Sequence, residues 1–187
     1  GNQPKPTRLF FSLNLAATLF EETHQKTILL DMAFSDSEPT LSGTRTSRAP
    51  LTAFQDIENR SQQSLTEAMS HYHAGFDVLN LLSKSGPQEA EEVLIPLLNH
   101  LSVEYRFILL DLPTEMEELV LKALSQSDHI FFITDSHLNN ITESQETMSD
   151  IEKTLAFPEE KILVVIQEAL FGAHGSAAFR AKMFGKK

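Results

Sequence analysis

Residues 105–135, YRFILLDLPTEMEELVLKALSQSDHIFFITD, decide the fold class of this chain. Two apolar runs, at residues 107–111 and 130–134, have the length and composition of strands that are buried on both faces. Between them, residues 115–125 carry the apolar spacing of a helix. Because parallel neighbours need a crossover connection of this kind, the stretch predicts a βαβ unit.

The same alternation extends in both directions along the chain. Strand-like runs occupy residues 27–32, 76–81 and 161–166, and helical patterns occupy residues 9–20, 87–101 and 138–155. This order predicts an α/β fold with a mostly parallel sheet and helices on both faces, in a single domain over residues 1–187. Residues 1–8 are predicted as an extended lead-in, 35–50 as a mobile loop, 51–73 as partly exposed helices and 169–187 as a tail.

Charge and composition exclude several classes of function. The 187 residues contain 15 Lys and Arg against 26 Asp and Glu, a net charge of −11, which disfavours nucleic acid as a partner. No apolar run is long enough to insert into a membrane. The chain has no Cys, which rules out disulfides and thiolate catalysis and fits a cytoplasmic location.

Aspartates follow the predicted strands at the positions where ligands bind in parallel sheets. Asp31 and Asp111 each end an apolar run, and Asp135 ends a third. Such an aspartate either holds Mg²⁺ through water or caps the next helix, and the residues alone leave both interpretations open. No glycine occurs between Asn2 and Ser42, so no glycine-rich phosphate loop precedes Asp31.

Other candidate groups are weaker. His71 and His73 have the spacing of metal ligands on a strand but lack a third ligand, so no metal site is expected. No serine lies in a nucleophile elbow, and no catalytic residue is assigned. Arg45 and Arg48 in the predicted loop either meet an anion or are simply solvated.

The order of these segments resembles the MinD/ParA group of P-loop ATPases. Residues 12–19 (SLNLAATL) and 27–31 (TILLD) resemble the helix and strand that follow the phosphate loop in that group, and residues 105–113 resemble its Walker B strand. Residues 127–134 and 158–166 resemble two later segments, so the likeness is collinear over residues 8–168. The Asp111-Leu112-Pro113 sequence is most similar to CpaE-type proteins of pilus assembly and polar localisation. The resemblance implies a three-layer, P-loop NTPase-like fold.

Departures from the group's pattern fall on its nucleotide site. Counting back from Asn14, the phosphate-loop lysine of the group falls on Arg8, and its two threonines fall on Leu9 and Phe10. The second acidic residue of the group's DxD motif falls on Ala33, and the adenine-reading asparagine falls on Gln167. The resemblance therefore leaves the following residues as remnants of a nucleotide and Mg²⁺ site: Arg8, Asp31, Asp111 and Gln167.

Three functions are consistent with these observations. The first is a degenerate MinD/ParA-like domain that serves as a protein-binding, localisation or regulatory module without ATP hydrolysis, needs no cofactor, and binds a protein partner or a second copy in a homodimer. The second is an ATPase switch that holds ATP and Mg²⁺ with an altered phosphate loop. The third is a receiver- or flavodoxin-like domain. The absence of the Gly, Lys and Thr set favours the first.

The group's first strand has no obvious counterpart. In the group it precedes the phosphate loop and lies in the middle of the sheet. Here either residues 8–13 form that strand, or the chain is a fragment whose first strand lies upstream. Helical periodicity over residues 9–20 favours a helix, and a sheet without its central strand would expose unpaired backbone.

Overall fold

The computed structural model describes residues 5–32, 48–50, 54, 57, 62–82, 87–113, 118–135 and 138–167. The helices are α1 (Lys5–Thr23), α2 (Gln62–Ala68), α3 (Pro87–Ser102), α4 (Glu118–Ser125) and α5 (Leu138–Leu155). The strands are β1 (Thr27–Asp31), β2 (Arg48–Pro50), β3 (Ser70–His71), β4 (Asp77–Leu82), β5 (Phe107–Asp111), β6 (Ile130–Asp135) and β7 (Ile162–Gln167). None of the described helices combines the length and apolarity of a membrane crossing.

Contacts within the chain divide it into two compact units. One is Pro6–Ala123, and the other is Leu124–Lys187 together with Gly1–Lys5. We call them the first and the second unit. The single-domain organisation stays a prediction.

The first unit is built on a sheet in the order β2-β4-β1-β5, with β3 added to β4. All pairings are parallel except that of β3 with β4. β1 lies between two neighbours and all five of its residues are buried, which explains its continuous apolar sequence. The predicted α/β class with a mostly parallel sheet is confirmed.

Alternation along the strands sends side chains to two different apolar clusters. Leu29, Val78 and Leu109 pack on one face with Ala16 of α1. Ile28, Leu30 and Leu79 belong to the cluster on the other face, which also contains Leu94, Leu97 and Leu101 of α3. The sheet of the first unit is therefore covered by helices on both faces, and α1 lies over the Leu29 face.

The turn between β3 and β4 packs closely against Phe20, near the end of α1. Gly75 has a φ of 93°, and its N–H donates to the carbonyl of Tyr72 at 2.8 Å. A Cβ at Gly75 would overlap the ring of Phe20 in α1. Glycine is therefore required there both by the left-handed backbone and by the aromatic ring against it.

The second unit contains the parallel pair β6–β7 and helix α5. The Ser144 hydroxyl of α5 donates to Thr134 Oγ1 at 2.9 Å, and both residues are buried. On the alternate positions, Phe131 and Leu163 are register partners and are each 41 % exposed. α5 thus packs on the Thr134 face of this strand pair.

Several sequence-based boundaries need correction. α1 begins at Lys5, so residues 5–8 are helical and not an extended lead-in, and the alternative of a strand at residues 8–13 is wrong. In the predicted loop at 35–50, residues 48–50 form β2, because they pair with the apolar strand β4. Residues 70–71, predicted as helical, form β3. The rest of that loop up to residue 47, and the predicted tail at 169–187, lie outside the described residues.

Candidate functional site

Three polar residues lie side by side across the sheet of the first unit. Asp31 of β1 is the register partner of both Asn80 of β4 and Asp111 of β5. We call Asn80, Asp31 and Asp111 the carboxyl-end row, because each lies at or near the carboxyl end of its strand. Ligands bind to parallel sheets at this edge.

Strand alternation places the row beneath the first turns of α1. Residues in register on parallel strands share a face, and the row lies two residues beyond Leu29, Val78 and Leu109, which pack against α1. All three polar side chains are buried: Asp31, Asn80 and Asp111 are 5 %, 3 % and 2 % exposed. Burying a polar group without a hydrogen-bond partner costs free energy, so the partners of each side chain indicate whether it has a structural role.

Arg8 of α1 makes an ion pair with Asp111. Its Nε donates a hydrogen bond to Asp111 Oδ1, across 103 residues of sequence. The Asp111 side chain is 1 % exposed and that of Arg8 is 18 % exposed. A buried carboxylate needs such a charged donor, so the chain itself supplies the cation that faces this strand end.

Asn80 was not among the residues predicted for the site. Neither its Oδ1 nor its Nδ2 has a hydrogen-bond partner within the described part of the chain, although both atoms are fully buried. The sequence does carry a signal: Asn80 interrupts the apolar run VLNLL at residues 78–82. A polar residue inside such a run is expected either to be bonded or to serve a ligand.

The remaining predicted residues lie in other strands or outside the described residues. Gln167 lies in β7 of the second unit as the register partner of Asp135. Arg48 of β2 is the backbone register partner of Asn80, which extends the row by one position, and its side chain lies outside the described residues. Arg45 and Ala33 also lie outside them.

A second polar cluster lies at the opposite end of β4. Asp77 Oδ2 accepts a hydrogen bond from the Tyr105 hydroxyl at 2.7 Å, and Asp77 Oδ1 lies 2.9 Å from His71 Nδ1. We call His71, Asp77 and Tyr105 the amino-end cluster. Burial, and then the hydrogen bond to Asp77, raises the pKa of the Tyr105 hydroxyl above its ordinary value. The cluster thus connects β3, β4 and the segment that leads into β5, to which Tyr105 belongs.

The amino-end cluster also accounts for one of the two histidines considered as metal ligands. His71 contacts Asp77, whereas the ring of His73 lies beside that of Tyr72, with centroids 4.3 Å apart. Among the described residues, no three His, Asp or Glu side chains come together as a metal site.

Comparison with solved structures identifies the fold. A ParA-family ATPase from Chlorobium tepidum superposes with a TM-score of 0.75 at 15 % identity, covering 94 % of this chain and 74 % of that one. The MinC:MinD cell division protein complex of Aquifex aeolicus gives 0.69 at 15 % identity, over 94 % and 71 %. MinD with Mg-ADP from Pyrococcus horikoshii gives 0.66 at 12 % identity, over 100 % and 75 %.

The chain has the MinD/ParA fold. The resemblance read from the sequence is thereby confirmed at the level of fold, as is the P-loop NTPase-like class. The fold comparison favours this class over the receiver- or flavodoxin-like alternative. No protein-family model matches the chain, and no curated protein sequence matches it significantly.

The Pyrococcus MinD is complexed with Mg-ADP, so the residues of this chain can be tested against such a ligand. Asp31 and Asp111 are of the ligand type that Mg²⁺ prefers. A phosphate also needs a glycine-rich cradle of backbone N–H groups, and between Asn2 and Ser42 the sequence has no glycine. In addition, Arg8 already bonds Asp111. The described residues of this MinD/ParA fold therefore do not fit a Mg²⁺-bound nucleotide.

Proposed function

We propose that this chain is a binding module with the MinD/ParA fold, which recognises a partner protein and does not hydrolyse ATP. The observation that carries the proposal is the ion pair between Arg8 and Asp111. The guanidinium of Arg8 bonds the carboxylate of Asp111, which the family resemblance assigns to the Mg²⁺ site. On this proposal Arg8, Asp31, Asp111 and Gln167 are remnants of a nucleotide site.

The chemistry of phosphoryl transfer supports this proposal. The protein contributes to that reaction almost entirely by positioning phosphates and by stabilising their charge. Here residues 2–42 contain no glycine for such a cradle, and the resemblance places Leu9 where the group has its metal-binding hydroxyl. A Mg²⁺ ion would also have to compete with the guanidinium of Arg8 for Asp111. Each of these changes removes stabilisation from the transition state.

The role as a binding module has separate support. The Aquifex structure of the same fold is a complex of MinD with MinC, so this scaffold can assemble with a partner protein. The CpaE-like Asp111-Leu112-Pro113 sequence supports a role in localisation or pilus assembly, in the cytoplasm. The partner is expected to be a protein, since the net charge of −11 disfavours nucleic acid. A homodimer is a further part of the proposal.

Calorimetric titration with Mg·ATP and Mg·ADP tests the absence of a nucleotide switch. We expect no saturable heat at nucleotide concentrations up to ~1 mM, which corresponds to binding weaker than about −4 kcal/mol. We also expect no release of inorganic phosphate from ATP above the rate in buffer. Sedimentation of the same samples should give a mass that nucleotide does not change.

Saturable, Mg²⁺-dependent heat would contradict the proposal. If it were lost in Asp31→Asn, the alternative of a nucleotide switch with an altered phosphate loop would replace it. Asp31→Asn is the appropriate variant because it alters the row while leaving the contact between Arg8 and Asp111 in place. Heat that persists in Asp31→Asn would instead place the nucleotide elsewhere on the chain.

A further inference from the structure

The C-terminal half of α1 is firmly anchored to the first unit. Ala16 is fully buried, and the ring of Phe20 packs against the turn at Gly75. His24 has a φ of 53° and donates its N–H to the carbonyl of Phe20 at 2.8 Å, which closes the last turn of the helix. Burial, the aromatic contact and the helix cap therefore all hold this half in place.

The N-terminal half of α1 has weaker ties. Leu9 packs in the α1 cluster but is only partly buried, and Phe10 is 66 % exposed. The first turn contains no acidic residue that would stabilise the positive end of the helix dipole. The ion pair between Arg8 and Asp111 ties this half to the sheet. The position of the first turns therefore depends strongly on a single polar contact.

Between the two halves lie two residues whose side chains bond to the helix backbone. The Ser12 hydroxyl donates to the carbonyl of Arg8 at 3.1 Å, and the Asn14 amide donates to the carbonyl of Phe10 at 2.7 Å. A side chain that bonds the carbonyl four residues earlier competes with the backbone ladder, and for serine this favours bending. Ser and Asn are also poorer helix formers than the Ala and Leu residues around them. Residues 12–14 are therefore the segment at which α1 bends most easily.

The row beneath the N-terminal half makes its closed position costly. Asn80 is 3 % exposed, and both polar atoms of its amide lack a hydrogen-bond partner in the described part of the chain. Covering this amide removes it from water without replacing the lost hydrogen bonds. The packing of Leu9 and the ion pair of Arg8 favour the closed position, and the unbonded amide opposes it.

We propose that residues 6–11 of α1 form a lid over the carboxyl-end row, hinged at residues 12–14 and latched by the ion pair between Arg8 and Asp111. In the open position Arg8 leaves Asp111, and the amide of Asn80 bonds water. The row then changes from a covered layer into a polar surface. The inference goes beyond the proposed function, because the lid belongs to the chain alone and needs neither a nucleotide nor a partner protein to open.

Amide hydrogen exchange in the unmodified, ¹⁵N-labelled chain tests the opening. Exchange through a local opening is faster than exchange that requires global unfolding. We therefore expect the backbone amide of Phe11 and the side-chain amide of Asn80 to exchange at least about tenfold faster than the backbone amide of Leu29. Within α1, the Phe20 amide should exchange as slowly as that of Leu29. Low concentrations of urea should accelerate only the slow amides, since global unfolding exposes far more surface than the lid does.

Two variants that lower stability at different places test the latch. Arg8→Ala removes the latch, so exchange at Phe11 and at the Asn80 side chain should accelerate at least about tenfold. If Arg8→Ala does not fold, Arg8→Lys takes its place with a smaller acceleration. Tyr105→Phe is the matched control, because it removes a hydrogen bond outside the lid. It should accelerate exchange at Leu29 and leave Phe11 unchanged. Equal acceleration of Phe11 in both variants would mean that it exchanges by global unfolding, which overturns the lid.

Asn80→Leu should act in the opposite direction. It removes the unbonded amide and retains the latch, so the closed position gains relative to the open one. We expect exchange of the Phe11 amide to slow by about tenfold. An ordinary frayed helix end would not respond in this way to a substitution on β4.

Each other result overturns the proposal. Equal exchange at Phe11 and Phe20 would mean that α1 does not open in two parts. A Phe11 amide that responds neither to Arg8→Ala nor to Asn80→Leu would belong to a frayed helix end. Exchange of the Asn80 side chain only together with Leu29 would mean that the row stays covered. Binding of Mg·ATP would contradict the proposed function but would leave these expectations unaffected, so the two failures are distinguishable.

Discussion

β4 carries one polar residue towards each end, and the two differ in whether their side chains find hydrogen-bond partners. At its amino end, Asp77 accepts a hydrogen bond from Tyr105 and contacts His71. At its carboxyl end, Asn80 is 3 % exposed and its amide has no hydrogen-bond partner among the described residues. Both residues are polar members of one strand, separated by only two residues.

This difference separates structural polar groups from candidate functional ones. A bonded carboxylate such as Asp77 recovers the cost of its desolvation, and its role in joining β3 to β4 explains it. An unbonded buried amide costs stability, and no contact of the described residues explains Asn80. We therefore interpret the amino-end cluster as structural and the carboxyl-end row as the remnant of a site.

The largest change in the free energy of unfolding is expected at the ion pair between Arg8 of α1 and Asp111 of the row. Arg8→Ala leaves the buried Asp111 carboxylate without its cationic donor, and we expect the free energy of unfolding to fall by about 3 kcal/mol. Arg8→Lys retains the charge but not the guanidinium, so it should lose less. Urea unfolding measures both.

A double-variant cycle tests the origin of that loss. Adding Asp111→Asn to Arg8→Ala removes the uncompensated charge and should recover part of the stability. Wild-type stability of Arg8→Ala would mean that the ion pair does not hold α1 to the row. It would also remove the observation on which the proposed function depends.

Much of the first unit could be predicted from sequence because its signals are local. β1 and β5 are short apolar runs that end in Asp, and α3 has a proline in its first turn and an apolar stripe. The juxtaposition of Asp31 and Asp111 follows from their equivalent positions at strand ends. Arg8 was assigned through the family resemblance, whereas its contact with Asp111 depends on how α1 lies over the sheet.

The features that were missed depend on pairing between distant segments. β2 and β3 are only three and two residues long, and they are strands because β4 offers an edge to each. The row position of Asn80 depends on the register between β1 and β4, which no local pattern encodes. The edge position of β5 likewise depends on the strand order of the whole sheet. Tertiary context decided these features.

The second largest effect should have the opposite sign. Asn80→Leu replaces a buried amide that has no hydrogen-bond partner in the described part of the chain by an apolar group of similar size, so we expect the free energy of unfolding to rise by about 1–2 kcal/mol. Asp77→Leu is the matched control at the other end of β4. It removes the acceptor of Tyr105 and should lower stability by a comparable amount. A loss of stability in Asn80→Leu would show that Asn80 is bonded in solution, and the contrast between the two ends would disappear.

The smallest effect concerns the hydroxyl of Tyr105. Tyr105→Phe removes one hydrogen bond to Asp77, and we expect a loss of about 1 kcal/mol at neutral pH. Folding raises the pKa of Tyr105 above its unfolded value of 10.0, so the folded state retains this proton when the unfolded chain has lost it. The corresponding stability is fully present below pH 10.0 and declines as the pH rises above that value.

The pH dependence of the free energy of unfolding above pH 10.0 therefore distinguishes wild type from Tyr105→Phe. Wild type should lose stability more steeply than Tyr105→Phe above pH 10.0, so the difference between them shrinks as the pH rises. Tyr72→Phe, at the other of the two tyrosines, is the matched control, because it retains the Tyr105 hydroxyl and should keep the steeper wild-type slope. Parallel curves for wild type and Tyr105→Phe would mean that Tyr105 titrates alike in both states. That result would indicate that the hydrogen bond from Tyr105 to Asp77 does not form in solution. The contrast between a bonded Asp77 and an Asn80 without a described partner would then no longer hold.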